Sequence, residues 1–356
     1  MIIISGSTGL IGFSTSDYFL KKNYKVIGID NDLRSYFFGK IGSNKWKEKK
    51  LKENKLYSHL NVDIRNKERI FGIFKKYSKH VKAIIHTAAQ PSHDWAAKEP
   101  FTDFHVNANG TLNLLEAFRK YCPEASFIFT STNKVYGDRP NFLPLEEKKF
   151  RYEIKKKHKY FKKGIDENMS LDHTTHSLFG ASKASADLLV QEYGRYFNLS
   201  TVCFRGGCLT GENHSGAQLH GFLSFLVKTI INEQKYSVFG YKGKQVRDNI
   251  HSIDVVRAFE EFIKKPLLGG KVYNLGGGRA NSCSIVEAIQ LIEKISNKKS
   301  KYKILKKNRI GDHIWWISDN SKFIKDYPNW KISIPLKISL EQMIDFEFNN
   351  YVKNKN

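Results

Sequence analysis

Cysteine is scarce in this sequence. The four present, Cys122, Cys203, Cys208 and Cys283, lie far apart, with neither a CxxC pair nor a histidine at ligand spacing. That pattern argues against a disulfide framework or a structural metal site such as zinc, and fits a reducing compartment. Long hydrophobic runs are missing too. The apolar start at residues 1–4 gives way at once to a glycine loop, too short for the h-region of a signal peptide. No later stretch approaches the roughly 18 apolar residues of a spanning helix. The reading is a cytoplasmic protein with no membrane partner. Acidic side chains are also few: 35 Asp plus Glu against 59 Lys plus Arg leave a formal net charge of +24.

Such an excess raises the question of a nucleic-acid partner. Much of it falls in two lysine-rich stretches, residues 40–55 and 148–163, and runs of this kind read as solvated loops. A nucleic acid is therefore not the expected partner; the alternatives are attraction of an anionic phosphate substrate or some other polyanion. What the chain does have is apolar surface. Its 356 residues are 40% hydrophobic and 13% aromatic, enough for a full core in one large domain or two joined ones.

The first thirty residues read as strand (2–5), glycine turn, helix (to 23) and strand (25–29), a βαβ unit. Further strands are expected at 60–62, 83–86, 126–131, 201–205 and 271–275, with helices at 66–77, 101–121 and 179–197. On the second of these helices Phe104, Ala108, Leu112, Leu115 and Phe118 recur at helical spacing as a core face. Apolar strands alternating with amphipathic helices predict an α/β fold, a doubly wound parallel Rossmann sheet. After Arg205 the alternation dissolves into polar, glycine-rich segments at 206–213 and 241–248, which suits a smaller, discontinuous α/β substrate-binding domain. The expected division is 1–205 with 248–276 for the sheet and 206–247 with 277–356 for the cap.

The turn reads Gly6-Ser-Thr8-Gly9-Leu10-Ile11-Gly12. Glycines between a strand and a helix let backbone N–H groups approach a pyrophosphate with no Cβ in the way. Asp30, followed by Asn31, stands at the tip of the next strand about 20 residues on, where a carboxylate accepts from ribose hydroxyls and repels a 2′-phosphate. NAD is the cofactor this favours. Asp63-Ile64 and Thr87-Ala88-Ala89 follow two further strands, at the carboxyl ends where doubly wound sheets bind ligands.

Taken together, GSTGLIG, DIRN, HTAAQ, NANGTLNLLEA, STNKVYGD, FGASK, QVRDNIHSID, VYNLGGG and RIGDH resemble, in order and over essentially the whole chain, the extended short-chain dehydrogenase/reductases of the sugar-nucleotide epimerase/dehydratase family. The resemblance is strongest to the branch that inverts C2 of a CDP-activated sugar. It implies transient oxidation of a sugar carbon by tightly held NAD, with a nucleotide sugar, a CDP-sugar favoured, as substrate. It also implies a homo-oligomer packed through the helices at 101–121 and 179–197. Thr132 matches the family hydroxyl that orients the reacting oxygen, and Lys183 the lysine of YxxxK, but the tyrosine position is Phe179. A phenyl ring neither takes nor gives a proton.

The resemblance assigns Asn107, Thr130, Lys183 and Arg205 to the cofactor. It assigns Gln90, Thr132, Asn133, Asn213, His214, Arg247 and Arg309 to the substrate, with the two last arginines on its diphosphate. Tyr136 matches a family tyrosine that is not the base, and Cys208 reads as a packed residue. Candidates to replace the phenol are His93, Asp94 and His176, or a substrate-bound water chain. Family dehydratases carry Asp-Glu after the threonine, whereas this chain has Asn133-Lys134, which favours epimerisation. Two alternatives stay open at this point: action on another nucleotide sugar, and a non-catalytic NAD or nucleotide-sugar binding protein.

Overall fold

A computed structural model describes the chain except for residues 215, 217–220, 307, 309, 310 and 354–356. Seven parallel strands form the central sheet: β1 (Ile2–Ser5), β2 (Val26–Ile29), β3 (Tyr57–Leu60), β4 (Ala83–His86), β5 (Ser126–Thr132), β6 (Thr201–Gly206) and β7 (Lys271–Leu275), in the order β7-β6-β5-β4-β1-β2-β3. Neighbouring residues of a strand point to opposite faces, and both faces are covered. Ile2 and Ile4 pack in one apolar cluster with Ile85, Phe204 and Phe259. Ile3 packs in the other with Ile27, Ile84, Phe118 and Phe127. The expected residues 271–275 return to the sheet as its outer strand beside β6.

Two elements differ from the sequence reading. The third strand lies three residues earlier than 60–62, because its parallel register with β2 pairs Val26 with Tyr57 and Ile29 with Leu60. Polar Ser58 and His59 hide this edge strand from an apolar pattern, while Val62 and Ile64 bury in the loop beyond it. The long helix at 101–121 is divided. Pro100–Phe104 leads into a π-helical segment, His105–Asn109, before α1 (Gly110–Tyr121). A π-turn holds more residues than an α-turn, so it rotates what precedes it. Ala108, Leu115 and Phe118 are buried as expected, Leu114 joins them, Phe104 is exposed and Leu112 only half-buried.

The polar segments after β6 contain strands. Val246–His251 pairs with Cys208–Thr210 along one half and with Ser282–Ser284 and Trp315–Trp316 along the other. Helices Phe222–Ile231, Ile285–Ser296 and Leu336–Lys353 surround a third apolar cluster that includes Leu226, Ile230, Ile292 and Leu340. The lysine-rich stretches are also less free than a solvated loop. Lys47, on the helix Lys45–Lys52, is only 1% exposed. In the second stretch Tyr152–Ile154 pairs antiparallel with Leu145–Glu147 just before it. Arg151 ties it to Glu287 at 2.7 Å and to the Ser282 carbonyl at 3.0 Å. Among the described residues no helix is long and apolar enough to cross a membrane.

Candidate active site

The strand order reverses between β1 and β4, and a crevice opens there at the carboxyl ends of the strands. A cavity of about 450 Å³ runs from it to the strands and helices that follow β6. Gly6 sits at φ +72°, and a Cβ there would lie 2.6 Å from the Ala88 nitrogen; one at Gly12 would lie 2.0 Å from the Gly6 carbonyl oxygen. These two glycines let the turn pack. Gly9 plays a different part: it precedes the helix Leu10–Lys21 with no side-chain cap and lines the cavity with Leu10 and Ile11. A helix start of this kind leaves N–H groups for a ligand.

Asp30 lines the same end and is held on both oxygens. Oδ2 accepts from the Thr8 N–H at 2.9 Å and its Oγ1 at 2.7 Å, and Oδ1 accepts from the Asp32 N–H at 2.9 Å. Asn31 donates to Asp63 Oδ2 at 3.0 Å. Asn31, Asp63, Ile64, Thr87, Ala88 and Ala89 all reach the cavity. Further along, the cavity meets Thr130, Thr132, Asn133, Phe179 and Lys183. Lys183 is buried, donates to the Thr130 carbonyl at 3.0 Å and stands 4.1 Å over the Phe129 ring. Burial lowers its pKa to about 8. Thr132 Oγ1 accepts from the Lys134 N–H at 3.2 Å and so caps the turn Asn133–Tyr136. The segments after β6 contribute His214, Arg247 and a mainly apolar end with Phe222, Leu223, Tyr236 and Phe239.

Several residues assigned from sequence do not reach the cavity. Asn107 lies behind it in the π-helical segment, with Oδ1 accepting from the Gln90 N–H at 2.9 Å. Its Nδ2 donates to Gln90 O, Asp103 and Ser182 at 3.0–3.1 Å. Gln90 is likewise consumed by Ser92 and Asp103. Arg205 forks onto Asp187 at 3.1 and 2.7 Å and donates to Tyr136 at 3.0 Å, a buried pair joining β6 to the next layer. His176 bonds the Leu171 carbonyl, Asn213 bonds Glu212, and Asp94 is exposed. Thr8 acts through Asp30, and Gly12 acts by packing. The Arg309 assignment lies outside the described residues. Tyr136 is buried, stacks on Trp316, donates to Asn274 and has its pKa pushed up to about 12 by burial. The Cys208 thiol is held up at about 12 as well, far from a nucleophile's range.

Sequence reasoning missed Asp312, whose carboxylate accepts from Arg247 at 2.7 Å. It stands in the RIGDH motif, so the signal was present. Arg34 and Asn44 also line the cavity; no pattern marks them, because the insertion between β2 and β3 brings them there.

Residues 2–276 match the NAD dependent epimerase/dehydratase family. The chain is 30% identical to CDP-paratose 2-epimerase of Salmonella typhi over 97% of its own length and 98% of that protein's. The chain belongs to this family. It is therefore an NAD-dependent enzyme of the sugar-nucleotide epimerase/dehydratase type. UDP-glucuronate 4-epimerase of Thermodesulfobacterium geofontis is 27% identical, over 98% of this chain and 96% of that protein. The fold matches UDP-glucuronic acid 4-epimerase from Bacillus cereus, solved with UDP-glucuronic acid and NAD, with a TM-score of 0.79 at 23% identity over 98% of this chain and 99% of that one.

The residues present fit the family cofactor. Gly9 opens a helix start onto the cavity, the Asp30 carboxylate stands at the tip of β2, and Thr130 Oγ1, on the cavity wall, is a buried hydroxyl without a hydrogen-bond partner among the described residues. An orphaned buried hydroxyl is costly unless a ligand completes it.

Proposed function

We propose that this enzyme inverts C2 of a CDP-activated sugar, of the CDP-paratose type, by transient oxidation to a keto sugar. The observation that carries the reading is Thr132 and Lys183 lining one cavity with Asn133-Lys134, where a dehydratase needs a carboxylic acid and base. The whole-length similarity to CDP-paratose 2-epimerase supports the choice of sugar and base.

In this reading Gly6, Gly9, Leu10 and Ile11 hold the pyrophosphate of NAD, Asp30 and Asn31 the adenosine ribose, and Asp63 and Ile64 the adenine. Thr87 to Ala89, Thr130 and Lys183 follow the rest of the cofactor. When bound, NAD takes up a hydride from the sugar carbon and later returns it. Thr132 orients the reacting oxygen. Arg247 pairs with the substrate diphosphate, exchanging Asp312 for phosphate oxygens. His214, and Arg309 by the family pattern, complete the substrate set. Residues 1–205 and 248–276 are the cofactor domain in this scheme, and 206–247 with 277–356 the cap.

The test is direct. Purified protein is incubated with CDP-, UDP- and dTDP-sugars, transient absorbance of reduced nicotinamide is followed, and products are analysed by NMR. Inverted C2 of a CDP-sugar supports the reading. Inversion at C4 of a UDP-sugar would replace it with the second reading, which the similarity to UDP-glucuronate 4-epimerase favours. A ligand that binds without ever reducing the cofactor argues for a non-catalytic role. We also place the enzyme in the cytoplasm, where its four free cysteines stay reduced. A homodimer through the two long helices would cover Phe101 and Tyr196, each 82% exposed; light scattering after gel filtration reads its mass.

A further inference from the structure

Phe179 occupies the place of a proton-carrying phenol, and an imidazole packs against it. The ring of His93 lies 4.9 Å from that of Phe179, edge to face at 65°. Both rings line the cavity that holds Thr132 and Lys183. His93 Nδ1 shares a 2.8 Å hydrogen bond with Ser177 Oγ. Ser177 sits at φ +60°, left-handed backbone that is strained for a non-glycine residue and concentrates at functional sites. Its hydroxyl also accepts from the Gly180 N–H at 3.2 Å. On another side, a Cβ at Gly311 would fall 2.9 Å from the imidazole, so only a glycine leaves the ring this room. A strained serine, a phenylalanine and a glycine together fix one imidazole at the cavity wall.

We propose that His93 is the catalytic residue that carries the sugar hydroxyl's proton, in place of the phenol, with Ser177 as the positioning residue that sets its tautomer. The inference rests on the nucleotide-sugar epimerase reading. In the resting enzyme Nδ1–H donates to Ser177 Oγ, and Nε2 is the basic nitrogen. Nε2 takes the hydroxyl proton as the hydride on the same carbon passes to the oxidised cofactor, and the C–O single bond becomes a carbonyl. After the ketone turns over, the hydride returns to its other face and Nε2–H gives the proton back to the oxygen. No net oxidation occurs, and the histidine ends as it began. A phenol needs a neighbouring lysine to bring its pKa of about 10 down, whereas an imidazole titrates near 6.5 unaided. Lys183 is thereby left to hold the Thr130 carbonyl and the cofactor. The charged and titratable groups on the elements packed against His93 include Lys183 and His176 on either side of Phe179, the buried Asp103 on the helix Pro100–Phe104, and Lys134 and Asp312, 3.9 Å apart beside Gly311. On its own helix the neighbour is Asp94.

The experiment compares wild type, His93→Gln, Phe179→Tyr and the double variant His93→Gln with Phe179→Tyr on the nucleotide sugar that the wild type turns over. His93→Gln is expected to lower kcat at least about 100-fold, with KM within a few-fold and bound NAD and melting temperature unchanged. The acid limb of the wild-type kcat profile, set by an imidazole, disappears from the residual rate. Tyrosine at position 179 in the double variant restores turnover at least about tenfold. His93→Gln within threefold of wild type overturns the proposal, as does a residual rate that keeps the acid limb. A wild type that turns over no nucleotide sugar instead removes the epimerase reading, and this inference with it.

Discussion

Lys183 combines burial with a backbone acceptor at Thr130, and its pKa of about 8 against the ordinary 10.5 has a consequence for stability. Below pH 8 the ammonium occupies a site that disfavours charge, so the folded state is weakened. As pH rises from about 8 towards 10.5 the folded protein releases this proton before the unfolded chain does, and stability increases. Lys183→Met is expected to flatten that rise, read as the change in urea midpoint between pH 7.5 and 9.5 for the two proteins. Arg205 makes the opposite case. Its partner Asp187 is completely buried, so Arg205→Met strands a carboxylate and is expected to cost about 3–5 kcal/mol in urea melts. NAD affinity should stay within a few-fold, because Arg205 does not reach the cavity.

At the scale of elements, the glycine turn is decided by packing. A methyl group at Gly12 collides with the Gly6 carbonyl, so Gly12→Ala is expected to yield protein that is insoluble or stripped of NAD, measured by the absorbance of cofactor released on denaturation. The pair of strands in the lysine-rich insertion is an element that charge alone disguised. Arg151 bonds Glu287, which belongs to the capping box of the helix Ile285–Ser296, and Ser284 at that cap donates to the Phe150 carbonyl. Arg151→Ala should raise amide exchange in residues 148–154 and 284–288 at least about tenfold, with bound NAD unchanged. An insertion free in solvent would show no change. The π-helical segment was equally hidden: apolar spacing marks a helix but not the local insertion that turns Asn107 inward.

The net charge of +24 falls largely outside the cavity, where the cations among the described residues are Arg34, Lys134, Lys183 and Arg247. A field of this kind speeds capture of anionic substrates and is screened over about 10 Å at 0.1 M salt. For a substrate carrying a diphosphate, kcat/KM should fall several-fold between 20 and 300 mM salt with kcat little changed, in steady-state assays at constant pH. A salt-independent kcat/KM would remove the steering role from the surface lysines.

The order of strands and helices, the glycine turn, Asp30 and the Thr132 and Lys183 pair were legible in the sequence, because each rests on local periodicity or on a motif of adjacent residues. The third strand was misplaced because parallel pairing with β2 outweighed its own polar pattern. Asn107, Gln90 and Arg205 match family positions, yet their side chains are spent on buried partners, and hydrogen bonding between distant segments leaves no mark in a local pattern. By itself the sequence determined the fold class, the cofactor and the absence of a phenol at Phe179. Only the tertiary structure could decide which polar side chains face the cavity, and that His93, 86 residues before Phe179, lies against it, because chain folding brings together groups whose separation in sequence carries no information about their distance.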